Sequence, residues 1–151
     1  MDGLAVKCLQ DSFVKVFARK SRLADRFYEH LFHQAPETRA MFTREMGYQR
    51  EMFASMLTSS VRAMADPDAM EGKIRSLRQS HAQLGLTPAQ LDAGSNALMA
   101  SLLEVMGDQL TDAEKSAWAK AIVLVMRAMA PPDSNWDGPD QTAMQMYFIS
   151  R

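Results

Sequence analysis

Residues 70–91 read MEGKIRSLRQSHAQLGLTPAQL. Met70, Ile74, Leu77, His81 and Leu84 follow one another at spacings of four, three, four and three. An α-helix would place them along one stripe. That stripe carries a single imidazole. Gly85 supplies the residue that a helix C-terminus favours in left-handed geometry, and Thr87-Pro88-Ala89-Gln90 opens a new helix. It does so with an N-cap hydroxyl, a first-turn proline and a capping-box glutamine. The spacing thus predicts His81 in the last turn of a helix, facing the interior, just ahead of a tight corner. Such a histidine is either a core side chain with one hydrogen-bonded nitrogen or a ligand. The pattern alone favours the first reading, so the rest of the chain must decide.

The 151 residues, 47% of them hydrophobic, are enough for one domain that can bury a core and a sizeable ligand. Seventeen basic against eighteen acidic side chains give a net charge of −1 without a basic block, which argues against nucleic acid and anionic membranes as partners. The apolar run Ala121–Met126 is far short of a bilayer span, and Met1–Cys8 lacks the pattern of a signal peptide. The expected location is therefore the cytoplasm. Cys8 is the single cysteine, so neither an intrachain disulfide nor a thiolate metal cluster can form. Thirteen methionines suit an irregular cavity or a soft helical core.

In order, the periodicity predicts a helix over Ala5–Ala18 with Leu9, Phe13, Val16 and Phe17 buried, then a helix capped by Ser21. Leu23, Phe27, Tyr28, Leu31 and Phe32 form the apolar stripe of this second helix. Tyr28 puts a phenol among hydrocarbon neighbours, where its hydroxyl needs a partner, ordinarily a backbone carbonyl. Glu29, His30 and His33 lie close together on the same helix. Two imidazoles on a solvated flank do not complete a tetrahedral metal site. Pro36 opens a short helical segment over Glu37–Met41 that runs into Phe42. Met46–Ala65 is the next helix, with Gln49, Phe53, Met56, Leu57, Ser60 and Met64 on one side; Asp66-Pro67 begins the helix bearing His81. Two long helices follow. Thr87–Met106 turns Leu91, Leu98, Met99, Leu102 and Val105 inward, and Thr111–Met129, capped by Thr111 with Glu114, buries Trp118, Ile122, Val125, Met126 and Met129. No segment reads as a strand. The expected division is 1–130 as one all-α domain and 131–151 as a tail, in which Ala143–Ile149 is apolar enough for a short helix.

FYEHLFHQAPETRAMF, QREMFASML, SHAQLGLTPAQL and LLEVMGDQLTDAEKSAWAKA, taken together, resemble successive stretches of the bacterial globins, the single-domain haemoglobins and the globin part of flavohaemoglobins. The likeness runs from about Cys8 to Met129 and leaves the tail outside. It rests on a phenylalanine–tyrosine pair, a phenylalanine after the proline, a glutamine seven positions later and one histidine beyond. It implies an all-α globin fold of about six to eight helices around a haem b. His81 would ligate the iron, and Phe42 would lie on the porphyrin. Tyr28 and Gln49 would stand on the distal side as donors to bound ligand. Phe53 would narrow the distal pocket, while Leu77, Leu84, Leu86, Leu91 and Leu98 would line the haem. Ser80 and a backbone carbonyl one turn earlier would orient the imidazole.

Two departures qualify the likeness. Where flavohaemoglobins look to carry a tyrosine ten residues beyond the histidine, this chain has Leu91, which weakens the case for a strongly anionic proximal ligand. The loop between Phe42 and Gln49 is shorter, closer to single-domain haemoglobins, and Tyr48 is the fallback for Gln49. The function implied is reversible binding of O2, with NO and CO as further ligands, at a pentacoordinate iron. NO dioxygenase-type activity would depend on an external reductase, because no G-x-G-x-x-G stretch is present. A haem-based gas sensor signalling through the last helix or the tail is the alternative, and a globin-shaped interaction module without haem is the third reading. Monomer and homodimer are both compatible with the sequence.

Overall fold

The structure is a computed structural model, and it describes residues 2–139. Among these, six α-helices and three short 3₁₀ turns alternate with loops, with no strand: α1 (Gly3–Phe17), α2 (Lys20–Gln34), α3 (Met46–Ala63), α4 (Pro67–His81), α5 (Pro88–Met106) and α6 (Asp112–Met129). The turns cover Pro36–Met41, Ala82–Leu84 and Gly107–Gln109. The all-α expectation is met. No helix among the described residues is long and apolar enough to cross a membrane.

Local chemistry sets most of the helix starts. Asp66 accepts from the amides of Asp68 and Ala69 ahead of α4. Thr87 with Gln90, and Thr111 with Glu114, form reciprocal capping boxes at α5 and α6. Ser21 does not cap α2. The helix begins one residue earlier, after Arg19, with no side-chain cap, because Ala18 is still right-handed and the corner is held by the Arg19 amide donating to the Val16 carbonyl. Ser21 is already inside the helix. α3 ends at Ala63, two residues before the expected boundary.

α2 packs on α5 and α3, α1 on α6 and α3, α5 on α6, and α4 on α6 and α3. The main core gathers Leu9, Val16, Leu23, Tyr28, Phe53, Leu91, Leu98, Met99, Leu102, Trp118 and Ile122. Trp118 is almost completely enclosed, and its indole Nε1 donates to Ser12 Oγ at 2.8 Å, which donates onward to the Cys8 carbonyl at 2.7 Å. The largest side chain of the core is thereby satisfied without water. Gly94 lets α5 approach α6 closely, since a Cβ there would stand 2.7 Å from Met126 Cε. The expected apolar segment Ala143–Ile149 lies outside the described residues.

Candidate functional site

His81 closes α4. Its ring Nδ1 lies 2.9 Å from the Leu77 carbonyl oxygen, one turn back. A carbonyl only accepts, so Nδ1 must carry a proton, and in the neutral imidazole Nε2 is left as the basic nitrogen. The side chain is half-buried. The corner beyond it turns at Gly85, whose φ of 62° and ψ of 42° are the left-handed geometry expected there. Ser80 does not orient the imidazole: it is exposed and its hydroxyl donates to the Ser76 carbonyl at 3.0 Å. A serine within a helix finds its own i−4 carbonyl closer than a neighbouring side chain.

A knot of aromatic rings sits where α2, α3 and the Pro36–Met41 turn converge. Tyr28 lies edge-on to Phe42 at 5.1 Å between centroids and to Phe53 at 6.1 Å, while Phe27 stacks on Phe53 at 4.7 Å. Phe32 completes the group against Phe42 at 5.6 Å. The structure thus brings together Tyr28, Phe42 and Phe53 from three elements. Phe27 and Phe32 belong with them; the sequence shows both on the apolar stripe of α2, and the four-residue step from Tyr28 to Phe32 is the signal that could have identified the latter. The Tyr28 hydroxyl donates to the backbone carbonyl of Gln49 at 3.2 Å. Burial pushes the phenol up to about 12, opposed by the nearby positive charge of Arg50. At neutral pH Tyr28 is therefore a donor. The Gln49 side chain is half-buried, whereas Tyr48 is exposed with Arg44 over its ring at 4.9 Å.

The expected leucines separate into three groups. Leu91 and Leu98 are buried in the main core and Leu86 packs against it. Leu77 instead joins Val125 and Ala128 of α6, so it faces that helix. Leu84 is 41% exposed. His30 Nε2 meets Glu104 Oε2 at 2.8 Å in a surface network with Arg26 and Glu29, and His33 is exposed. No group of three or more His, Cys, Asp or Glu side chains among the described residues could hold a metal ion. A groove of about 1160 Å³ on another flank of α3, lined in part by Phe17, Lys20, Arg50, Thr58 and Arg62, contains none of the candidate residues.

Residues 25–129 match the family model described as Globin. A flavohemoprotein of Rhizobium meliloti (strain 1021) is 30% identical over 102 residues, which are 66% of this chain and 25% of that protein. The chain thus spans about a quarter of the length of that relative. Globin-1 of Phreagena soyoae is 26% identical over 135 residues, covering 83% of this chain and 92% of that one. A solved protein from Pseudomonas aeruginosa PAO1, described as structurally highly homologous to a human haemoglobin, superposes with a TM-score of 0.65 at 23% identity, over 83% of this chain and 98% of its own. The helix order and the extent of these matches lead to one conclusion: the chain belongs to the globin family, and membership implies a haem-binding protein for small gaseous ligands.

Proposed function

We propose that the protein binds haem b through His81 and uses it for reversible binding of O2, with NO and CO as further ligands. The observation that carries this reading is the bond from Nδ1 of His81 to the Leu77 carbonyl. It holds the ring in the tautomer whose free Nε2 is suited to ferrous iron. Half-buried Phe42 and Leu86 and the exposed Leu84 leave apolar surface beside the His81 corner and the aromatic knot that a flat hydrocarbon group would cover. Covalent attachment of haem needs a C-x-x-C-H stretch. The single cysteine, Cys8, is in α1, which favours haem b.

When bound, the haem supplies the iron at which a diatomic ligand is held. The chain supplies the surroundings. In this reading Tyr28, which keeps its proton at neutral pH, and the Gln49 amide would be the donors to bound ligand, and the stacked Phe27 and Phe53 rings would narrow the space beside them. His81→Ala removes the proposed ligand, so haem-reconstituted protein should lose its Soret band or hold it only loosely. A mutant with the wild-type spectrum and haem content would make His81 a structural histidine. NO oxidation is the second part of the proposal. One NO, one O2 and one electron give one nitrate, so each cycle needs an electron from a reductase outside these 151 residues. With excess NO and O2 and NADH alone, NO consumption should stop at about one per haem. Sustained turnover under those conditions would reveal an electron route within the chain.

A further inference from the structure

The nine residues after Ala130 are tied down on two helices. Ser134 donates its amide to the Pro131 carbonyl at 3.0 Å and its hydroxyl accepts from the Trp136 amide at 3.2 Å, which turns the chain back. Arg127 of α6 then donates through Nε, at 3.1 Å, and through Nη2 to the Asp137 carbonyl. At Gly138, with φ 127°, a Cβ would stand 3.3 Å from Val123 of α6. Between these contacts the Trp136 ring packs against the main core and its Nε1 donates to Asp92 Oδ1 of α5 at 2.8 Å. A hydrophobic contact alone could slide along the helix. A hydrogen bond from a single donor is directional and fixes its register.

Asp92 follows Leu91, whose side chain is fully buried, and is the fifth residue of α5, two positions beyond the Thr87–Gln90 capping box. Between His81 and that box, Gln83, Leu84 and Gly85 are exposed and only Leu86 touches the core. The corner is anchored at its two ends: α4, which Leu77 holds against α6, and the start of α5, which buried Leu91 seats in the core and which the strap of residues 131–139 meets through the Trp136–Asp92 bond. The same stretch of α5 carries Ala93 and Ala97, whose buried cluster with Leu31 and Ala35 is the surface on which Phe32 and Phe42 pack. We infer that Trp136 and Asp92 are positioning residues, which set the start of α5 and through it the His81 corner and the seat of Phe42. This inference rests on the haem-binding reading for its consequence at iron, but its structural half stands alone.

Three variants of the full chain test it. Trp136→Phe keeps most of the bulk and removes the donor, Asp92→Ala removes the acceptor, and Asp92→Asn keeps an acceptor oxygen. Two measurements apply to each: amide hydrogen exchange over residues 82–93, with and without haem, and the iron–histidine stretching band of the ferrous haem protein. Trp136→Phe and Asp92→Ala should speed exchange over 82–93 by roughly three- to tenfold, as expected for loss of one such bond. Both should also shift the band, while Asp92→Asn stays near wild type. Unchanged exchange and an unchanged band, with only a lowered melting temperature, would overturn the inference. Wild-type protein that shows no Soret band after reconstitution would sink the haem reading instead. The exchange measured without haem then still decides whether the strap sets the corner.

Discussion

Tyr28 shows what a residue type alone can settle. A phenol on an apolar stripe must find a partner for its hydroxyl, and here the partner is the Gln49 carbonyl, the backbone acceptor such a side chain ordinarily takes. If that hydroxyl turns its one proton from the Gln49 carbonyl to bound O2, a net hydrogen bond of about 0.5–1.5 kcal/mol is at stake. Tyr28→Phe should then speed O2 release by roughly two- to tenfold in stopped-flow measurements. Burial raises the phenol to about 12 from its ordinary value of 10. The raised value means that the fold favours the protonated form, a contribution intact below pH 10 and lost between 10 and about 12. O2 release should therefore be flat from neutrality to pH 10 as far as Tyr28 is concerned, and Tyr28→Phe should be less sensitive to alkaline unfolding than wild type. Periodicity is less informative for the leucines. A stripe at spacings of three and four is wide enough to serve two neighbours, and α4 has two, α3 and α6. Leu77 goes to α6 and Leu84 falls beyond the helix end, distinctions that depend on where the next helix lies and not on the stripe.

At the scale of the element, starts were legible where a side chain closes them. Thr87 and Thr111 each announce a helix by their own hydroxyl and by a partner three residues on, and both boxes are formed. Ser21 carried half of that signal and failed, because its placement depends on how tightly α1 hands over to α2 at Ala18 and Arg19. Thr87→Ala should cost about 1 kcal/mol in urea unfolding, the usual loss of an N-cap. Ser12→Ala is a different case: it strands the buried Trp118 indole donor, and the cost should be about 1–3 kcal/mol. The double change with Trp118→Phe should cost less than the two single changes summed; a fully additive loss would show that the two side chains do not act through this bond.

For the molecule as a whole, the fold class followed from period and caps, whereas the strap did not. Pro131–Gln141 is polar and broken by prolines and glycine, and nothing in that pattern says that Trp136 will meet an aspartate 44 residues earlier. The clasp between α2 and α5 was equally invisible. In it, Arg26 and then His30 hold the Glu104 carboxyl below its ordinary 4.5. A lowered carboxyl stabilises the fold above its ordinary value and loses that contribution as pH falls through the lowered one. Glu104→Gln should therefore melt lower than wild type near neutrality, and the difference in thermal midpoint should shrink below pH 4.5. The bond between Ser12 and Trp118 joins residues 106 positions apart. On a ribosome adding about 5–20 residues per second, Ser12 waits roughly 5–20 s for the indole that it will accept from. Until α6 has been made, the side of α1 that packs on it stays open to solvent even where α3 already covers the rest, so the nascent chain presents an apolar helix face that a chaperone can grip.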